Sequence, residues 1–296
     1  MNRTETAYFE SRRPFLTGLA YRILGSLAEA EDAVQDTYLK WRALDLETVS
    51  NPAGWLTTAC TRRCVDMLRA AHRSRVDYVG AWLPEPVQTV IEDTPETAAE
   101  LSSTLSLAFL LVLERLTPKE RAAYLLREVF DQPYEDVAAT LEMTEAACRK
   151  LVSRARGRVG QAQAGSVVPK ARQDELLSAF QAAITTGRTE RLAALMREDI
   201  ELRTDGGGKA LALLYPLTCK ADVLGFLGGT LSQYWADYVW RPASINGAQG
   251  VLLFEGARIV ASVSFAWDEQ GRLSDIYIMR NPDKLARLGD AERRLQ

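Results

Sequence analysis

A short stretch near residue 150 carries side chains that can hold nucleic acid. The groups that bind phosphate oxygens and base edges belong to Arg149, Lys150, Ser153 and Arg154. From residue 146 to residue 172 the chain has seven Lys or Arg and no acid. The pattern favours a DNA-binding surface, although an Arg-rich helix is more often only a solvated face.

The neighbouring elements predict a helix-turn-helix over residues 117–159. Thr117, Pro118 and Glu120 form a capping box with proline at the first helical position. Pro133 is expected to open a second helix in the same way, and Thr144 to cap a third. The third helix has a buried face, because its apolar residues are spaced four, three and four apart: Cys148, Val152, Ala155 and Val159.

A second basic cluster lies on a helix predicted to start at Asn51 and Pro52. Between residues 62 and 75 one acid, Asp66, stands among Arg62, Arg63, Arg69, Arg73 and Arg75. Residues 77–100 carry six acids and no Lys or Arg. The net charge of −3 says little about a nucleic-acid partner, but this segregation indicates a phosphate-binding surface followed by an acidic tether.

An acidic patch is expected on an earlier helix. Apolar residues recur through residues 27–41 on one side, and the opposite side presents Asp32, Gln35, Asp36 and Leu39. Such a patch is either a protein-binding surface or a solvated face.

The tether contains an apolar pentapeptide with two prolines, Trp82, Leu83, Pro84, Glu85 and Pro86. Proline stiffens an extended segment, and an exposed Trp-Leu pair favours a binding pocket. We therefore predict that the pentapeptide docks onto another part of the chain or onto a partner; collapse onto the helical bundle is the alternative.

The composition changes after residue 160. Two predicted helices precede five alternating segments, which indicates an α+β domain with a curved antiparallel sheet. Glycine permits close backbone approach in the run Asp205, Gly206, Gly207, Gly208 and Lys209, whose charged ends could fix a docked peptide; the alternative is a plain hairpin. A last helix starts with an asparagine cap in the run Asn281, Pro282, Asp283, Lys284 and Leu285.

The 296 residues suffice for two or three domains with ordinary cores. The longest apolar run, residues 107–113, is too short to span a membrane, and the start lacks the apolar core of a signal peptide, so we expect a cytoplasmic protein. Cys60 and Cys64 with His72 lack a convincing fourth zinc ligand, and we predict neither metal nor cofactor.

The order of the helical segments resembles the extracytoplasmic-function (ECF) sigma factors of bacterial RNA polymerase. The resemblance spans roughly the first 160 residues and rests on RILGSLAEAEDAVQDTYLKW, NPAGWLTTACTRRCVDMLRAAHRSR and LTPKERAAYLLREVFDQPYEDVAATLEMTEAACRKLVSRARGRV. It implies that the acidic patch binds core polymerase and that both basic clusters bind promoter DNA. The second cluster would act near the melted start region, and the 149–154 face about three turns further upstream.

The remaining motifs resemble the ECF group with a fused SnoaL-like domain, a cone-shaped α+β barrel shared with polyketide cyclases and ketosteroid isomerases. WLPEP, DGGGK and NPDKL look like the signature motifs of that group. Because the three motifs lie in one linker and one domain, we hypothesise that the C-terminal domain packs against the WLPEP linker, sets the spacing of the two DNA-binding domains and so modulates activity. No histidine follows residue 72 and the acids of the sheet are scattered, so we predict no catalysis. A small ligand in this domain stays open, since the sequence names none.

The predicted protein is multidomain: two all-α domains followed by an α+β domain. The boundaries are 1–76 for sigma region 2, 77–100 for the linker, 101–160 for sigma region 4, 161–172 for a second linker and 173–296 for the SnoaL-like domain. We expect it to be monomeric when free, with core polymerase and promoter DNA as partners and no membrane. The alternatives are a ligand-responsive helix-turn-helix regulator and a cyclase- or isomerase-like enzyme with a helical partner domain.

Overall fold

The computed structural model describes residues 3–45, 48–75, 78–89, 104–160 and 168–288. The chain divides into two compact units, residues 1–77 with 112–162 and residues 78–111 with 163–296. The linker segment 78–89 therefore belongs to the C-terminal unit and not to either helical domain. Within the described ranges, no helix is both long and apolar enough to cross a bilayer.

The first unit begins with a three-helix bundle, α1 Arg3–Leu24, α2 Leu27–Arg42 and α3 Pro52–Arg75. Ser26 caps α2 by accepting a hydrogen bond from the Glu29 amide, and Asn51 accepts one from the Gly54 amide at the start of α3. The buried face of α1 includes Leu16 and Leu19, which are fully inaccessible. Cys60 and Cys64 are also buried, and burial raises the pKa of the Cys64 thiol well above its usual value. Both cysteines thus serve as small core residues.

The unit continues with the predicted helix-turn-helix. It follows α4 (Leu107–Leu113) and consists of α5 (Pro118–Tyr124, extended by a π-helical turn over Leu125–Val129), α6 (Tyr134–Thr140) and α7 (Glu145–Gly160). The capping box of Thr117 and Glu120 is formed, and the predicted apolar face of α7 is buried. One expectation was wrong: Pro133 is the residue before α6, with extended backbone (ψ 146°), and not its first helical residue.

A buried arginine that the sequence did not single out ties the bundle to the helix-turn-helix. Arg121 is 2% exposed, and its guanidinium donates to the carbonyl oxygens of Ile23 (2.7 Å) and Leu113 (2.9 Å) and to the Glu114 carboxylate (2.8 Å). Because Ile23 lies at the end of α1, this side chain also satisfies a carbonyl at a helix C-terminus.

The C-terminal unit is an α+β domain. Its helices are α8 Lys170–Thr186, α9 Glu190–Leu195, α10 Lys220–Gly225 (followed by a π-helical turn over Phe226–Leu231), α11 Ser232–Trp235 and α12 Pro282–Leu285. Its strands are β1 Met196–Asp205, β2 Val239–Ile245, β3 Ala248–Glu255, β4 Arg258–Trp267 and β5 Leu273–Met279. The helices pack on the sheet through a core that includes Phe180, Trp235 and Phe265.

The sheet has the order β1-β5-β4-β3-β2, and it is mixed. The expected antiparallel sheet is correct for β2 to β5, but β1 pairs with β5 in parallel. Alternating residues specify which face of a strand is buried but not its neighbour, so the sequence pattern could not reveal this long-range pairing. Both outer strands carry one further backbone bridge, Leu202 to Leu217 on β1 and Ile245 to Gln88 on β2.

Stability of the first unit should depend on pH through Glu120. Burial raises the pKa of this carboxyl, but hydrogen bonds from Thr117 and the charges of Arg158 and Arg154 outweigh that effect and lower it from 4.5. A depressed folded pKa stabilises the native state above the unfolded pKa, and the contribution is lost as pH falls through the folded value. We expect the free energy of unfolding to decrease below about pH 4.5.

Glu120→Gln should remove part of this acid dependence and cost about 1–2 kcal/mol at neutral pH. Urea unfolding followed by far-UV circular dichroism across the acidic range measures both effects. The matched control is Glu135→Gln, because Glu135 is exposed on α6. Equal pH dependence in the wild type and Glu120→Gln would contradict the assignment.

Candidate nucleic-acid interface and linker-docking site

The acidic patch lies on the exposed side of α2. Asp32, Gln35 and Leu39 are exposed, Leu39 to 51%. Asp36 is half-buried, and its carboxylate accepts a hydrogen bond of 2.6 Å from Nε of Arg63 on α3. The patch therefore offers three exposed side chains and one carboxylate that already has a partner within the bundle.

The basic cluster on α3 is partly engaged in contacts with the helix-turn-helix. Arg62 donates to the carbonyl oxygens of Thr140 (2.8 Å) and Ala139 (2.9 Å) and pairs with Glu142 (3.0 Å), so it caps the C-terminal end of α6. Thr58 and Thr140 share a hydroxyl hydrogen bond of 2.9 Å at the same contact. Arg62 thus has internal partners, which the sequence pattern did not anticipate.

Further along α3, Arg69 pairs with Asp66 one turn away at 3.2 Å. The side chains of Arg73 and Arg75 lie outside the described residues.

The polar face of α7 is accessible. Lys150, Ser153 and Arg154 are exposed, and Arg149 pairs with Glu145 while its guanidinium lies 4.3 Å from the Tyr134 ring centroid. Basic residues of α7 also pair with acids of α5 and its π-helical extension, Arg156 with Glu128 and Arg158 with Glu120, and Arg154 lies 3.9 Å from the Glu120 carboxylate. The face predicted to bind DNA is therefore exposed to solvent, as are Arg156 and Arg158 beside it.

The linker pentapeptide is docked in the C-terminal unit around one fully buried carboxylate. Asp205, at the end of β1, is 0% exposed. Its two oxygens accept hydrogen bonds from the Tyr78 hydroxyl (2.6 Å), the Leu83 amide (2.8 Å) and Nζ of Lys284 (2.7 Å). A buried carboxylate requires such partners, and the linker supplies two of the three.

Lys284 of α12 completes this cluster from the other side. Its ammonium donates to the Leu83 carbonyl oxygen (2.6 Å) and lies 4.3 Å from the Trp82 ring centroid and 5.1 Å from that of Tyr78. Asn281 donates to the Tyr78 hydroxyl at 2.9 Å. Hydrogen bonds and cation–π contacts thus hold the linker to the Asn281–Leu285 segment.

The glycines allow this cluster to close. A Cβ on Gly207 (φ +59°) would lie 2.2 Å from the side-chain nitrogen Nδ2 of Asn281. A Cβ on Gly206 would lie 2.2 Å from the Ala210 carbonyl oxygen. Gly208 also has positive φ (+70°). Of the two charged ends expected to hold the peptide, Asp205 does so, whereas Lys209 pairs with Asp283. Lys209 therefore joins two segments of the docking surface.

The rest of the pentapeptide is enclosed. Leu83, Pro84, Glu85 and Pro86 are buried and Trp82 is half-buried. Arg287 lies 4.0 Å from the Glu85 carboxylate. In the Asn281–Leu285 segment, Leu285 is buried, while Pro282 and Asp283 remain exposed.

The linker also extends the sheet beyond its docked pentapeptide. The backbone amide of Thr89 donates to the Ser244 carbonyl oxygen (3.0 Å). The backbone amide of Asn246 donates to the Val87 carbonyl oxygen (2.8 Å), and the Val87 amide donates to the side-chain oxygen of Asn246. Asn246 and Gly247 both have positive φ, as a tight hairpin turn requires. The Asn-Gly pair was a readable turn signal, but its function as a linker contact was not evident from the sequence.

Tyr78 is the contact residue that sequence reasoning missed most clearly. Burial raises the pKa of its hydroxyl, and the hydrogen bond to the Asp205 carboxylate raises it further. The phenol therefore stays protonated at neutral pH and can donate to Asp205. No group of three potential metal ligands occurs in the described part of the chain.

Comparisons with known proteins agree with these elements. Residues 8–74 match the family model Sigma-70 region 2, and residues 106–159 match Sigma-70, region 4. A region 2 bundle followed by a region 4 helix-turn-helix defines a sigma factor of RNA polymerase.

Two relatives from Mycobacterium tuberculosis match along nearly the whole chain. ECF RNA polymerase sigma factor SigJ is 33% identical, over 99% of this chain and 96% of its own length. Probable ECF RNA polymerase sigma factor SigI is 27% identical, over 95% and 94%. The crystal structure of SigJ superposes with a TM-score of 0.73 at 30% identity, covering 95% of this chain and 98% of the other.

The chain belongs to the extracytoplasmic-function RNA polymerase sigma factors. The predicted family, with its fused C-terminal domain, is confirmed, as is the prediction of a promoter-recognition factor that acts in transcription initiation. The predicted fold class is confirmed as well, apart from the parallel pairing of β1 with β5.

Removing the Asp205 carboxylate should loosen the docked linker. Asp205→Ala removes the acceptor of the Leu83 amide, and a hydrogen bond to a charged group contributes about 1.5–3 kcal/mol. We expect the Leu83 amide to exchange with deuterium about ten- to a hundredfold faster, measured by native-state hydrogen exchange. Asp237→Ala is the matched control, because Asp237 is exposed in the same unit. Unchanged Leu83 protection in Asp205→Ala would refute the role of the carboxylate.

Proposed function

We propose that this sigma factor binds core RNA polymerase through α2, contacts promoter DNA through α3 and α7, and is modulated by the docking of its linker on the C-terminal unit. The observation that carries the regulatory part is the buried Asp205 carboxylate, which two linker groups and Lys284 satisfy together. The protein would act in the cytoplasm, where it meets polymerase and DNA.

The polymerase contact rests on the exposure of the acidic patch. Asp32, Gln35 and Leu39 present two polar groups and one apolar side chain on one side of α2. A large exposed apolar side chain flanked by charge is typical of a protein interface. Asp36 would exchange its hydrogen bond from Arg63 for one from polymerase, or position Arg63 while its neighbours make the contact.

The DNA contact rests on the exposed face of α7. Arg149 and Lys150 lie in its N-terminal half, the part of a recognition helix that reaches base edges in the major groove, and Ser153 lies at its middle. Arg154 lies further along and is suited to a phosphate. The helix-turn-helix that carries them is held by Arg121 and by the capping box of α5.

The first unit must open to act on a promoter. Two elements about three turns apart are separated by about 100 Å, since one turn of DNA spans about 34 Å. A unit in which Arg62 holds the Thr140 carbonyl at 2.8 Å cannot place α3 and α7 on both. We infer that this packed arrangement is the polymerase-free form, and that Arg62 exchanges its carbonyl partners for DNA phosphates on opening.

Linker docking would then bias this equilibrium. Residues 78–89 are held by the C-terminal unit, so the length of chain free to connect α3 with the helix-turn-helix is shorter while the linker is docked. A shorter tether lowers the population of widely separated arrangements, which is control by population shift. The C-terminal unit would act as a clamp on the tether and not as a catalyst, because Asp205 is occupied by the linker.

Core binding should fail when the acidic patch is reversed. Asp32→Arg with Asp36→Arg replaces two negative charges by positive ones, and we expect the protein no longer to co-elute with core polymerase in gel filtration. The Asp32→Arg single variant, which leaves the Asp36–Arg63 pair intact, should weaken the association in the same direction. The matched control is Glu190→Arg with Asp237→Arg, two exposed acids of the C-terminal unit. Wild-type co-elution of the double Asp variant would exclude α2 as the contact.

Promoter selectivity should depend on Arg149. If its guanidinium reads a base, Arg149→Ala should weaken promoter binding by about 1–3 kcal/mol. Transcription should fall accordingly, and only on promoters with the preferred base at one position. Lys150→Ala should instead weaken binding to all promoters equally. It should also lower the slope of log affinity against log salt concentration by about one, as expected for a phosphate contact. Runoff transcription on a promoter library distinguishes the two, with Arg172→Ala as control. A uniform loss for Arg149→Ala would reassign that residue to phosphate binding.

Transcription should also report on the clamp. Asp205→Ala and Trp82→Ala both remove linker contacts without altering the helix-turn-helix, so runoff transcription at saturating polymerase should change in the same direction in both. Far-UV and near-UV circular dichroism verify folding, and Asp237→Ala serves as control. Wild-type activity of both variants would reject modulation by docking, while leaving core and promoter binding untouched.

A further inference from the structure

A small pocket in the C-terminal unit is not used by the linker. Its volume is about 200 Å³, and it lies between the ends of β1 and β5 and the helical segment of residues 226–235. The apolar part of its lining includes Leu213, Phe226, Leu231 and Ile278. The pocket is smaller than those that enclose drug-sized ligands, so it suits a small molecule with an apolar body.

Two nitrogen donors of the lining are buried and have no acceptor. Nε of Arg280 and Nε1 of Trp235 make no hydrogen bond to any residue that the structure describes. Trp235 is 0% exposed, and the Arg280 guanidinium lies 5.9 Å from its ring centroid. Both nitrogens are themselves inaccessible to water, so a ligand in the pocket would meet the half-buried Arg280 guanidinium through its Nη atoms.

The charge of Arg280 is also uncompensated. Its described contact is a hydrogen bond from Nη1 to the Leu211 carbonyl oxygen at 3.1 Å, and no carboxylate of the described residues forms an ion pair with it. A guanidinium beside an apolar cavity favours a planar anion, since its donors match the two oxygens of a carboxylate.

We propose that this pocket binds a small amphiphilic carboxylate, with its head group on Arg280 and its apolar body against Phe226 and Leu231. The rim supports this orientation: Leu211 and Tyr234 both line the pocket and are 70% and 56% exposed, so a bound apolar chain would remove part of their surface from water. The proposal does not depend on the role suggested for the linker, because the side chains that hold the linker, Asp205, Asn281 and Lys284, do not line the pocket.

The probes that test this site are octanoate, octanol and octylammonium, which share one chain and differ in the head group. Isothermal titration of the full-length protein should give a Kd for octanoate at least about tenfold lower than for octanol, and no measurable binding of octylammonium. Arg280→Gln should abolish the preference for octanoate over octanol. Arg258→Gln, a change at an exposed arginine of the β3–β4 hairpin, should preserve it.

A second variant blocks the cavity without changing charge. Thr230 is an exposed residue of the lining, so Thr230→Phe should leave the fold intact and reduce octanoate binding at least about tenfold. Circular dichroism verifies that each variant is folded. If octanoate does not bind, binds no more tightly than octanol, or is unaffected by Thr230→Phe, the proposed site is overturned.

Discussion

The C-terminal unit depends on satisfying one buried charge. Asp205 is fully inaccessible, and its carboxylate is stable there only because Tyr78, the Leu83 amide and Lys284 donate to it. Two of those donors come from the linker, so without the linker the carboxylate would face Lys284 alone among these partners. The linker is therefore a structural part of the unit in the same sense as a strand or a helix.

This dependence explains why three distant segments carry unusual residues. The glycines after Asp205 admit the Asn281 side chain, which a Cβ on Gly207 would exclude. Asn281 in turn caps α12 through the Asp283 amide and donates to Tyr78, so it positions Lys284 above the carboxylate. Each segment supplies what the others lack, and a change in one is expected to weaken the contacts of all three.

Much of this architecture could be predicted from the sequence. Caps, proline positions and apolar periodicity located the helices of the first unit, because those signals are local. The pairing of β1 with β5, the partners of Arg121 and the carbonyl contacts of Arg62 could not be predicted, since they join residues far apart in the chain. Charge counts cannot separate Arg62, which caps α6, from Lys150, which is exposed; that difference depends on packing.

A polar docking site also differs from an apolar one in how it can be regulated. Apolar burial tolerates many registers, whereas a carboxylate that receives an amide proton from Leu83 at 2.8 Å accepts the linker in one register. Breaking such a contact leaves an unpaired buried charge, so partial release is unfavourable and the linker is expected to be docked or free with few intermediate states. A linker that is either docked or free would give the Asp205 cluster the two-state character that the proposed modulation requires.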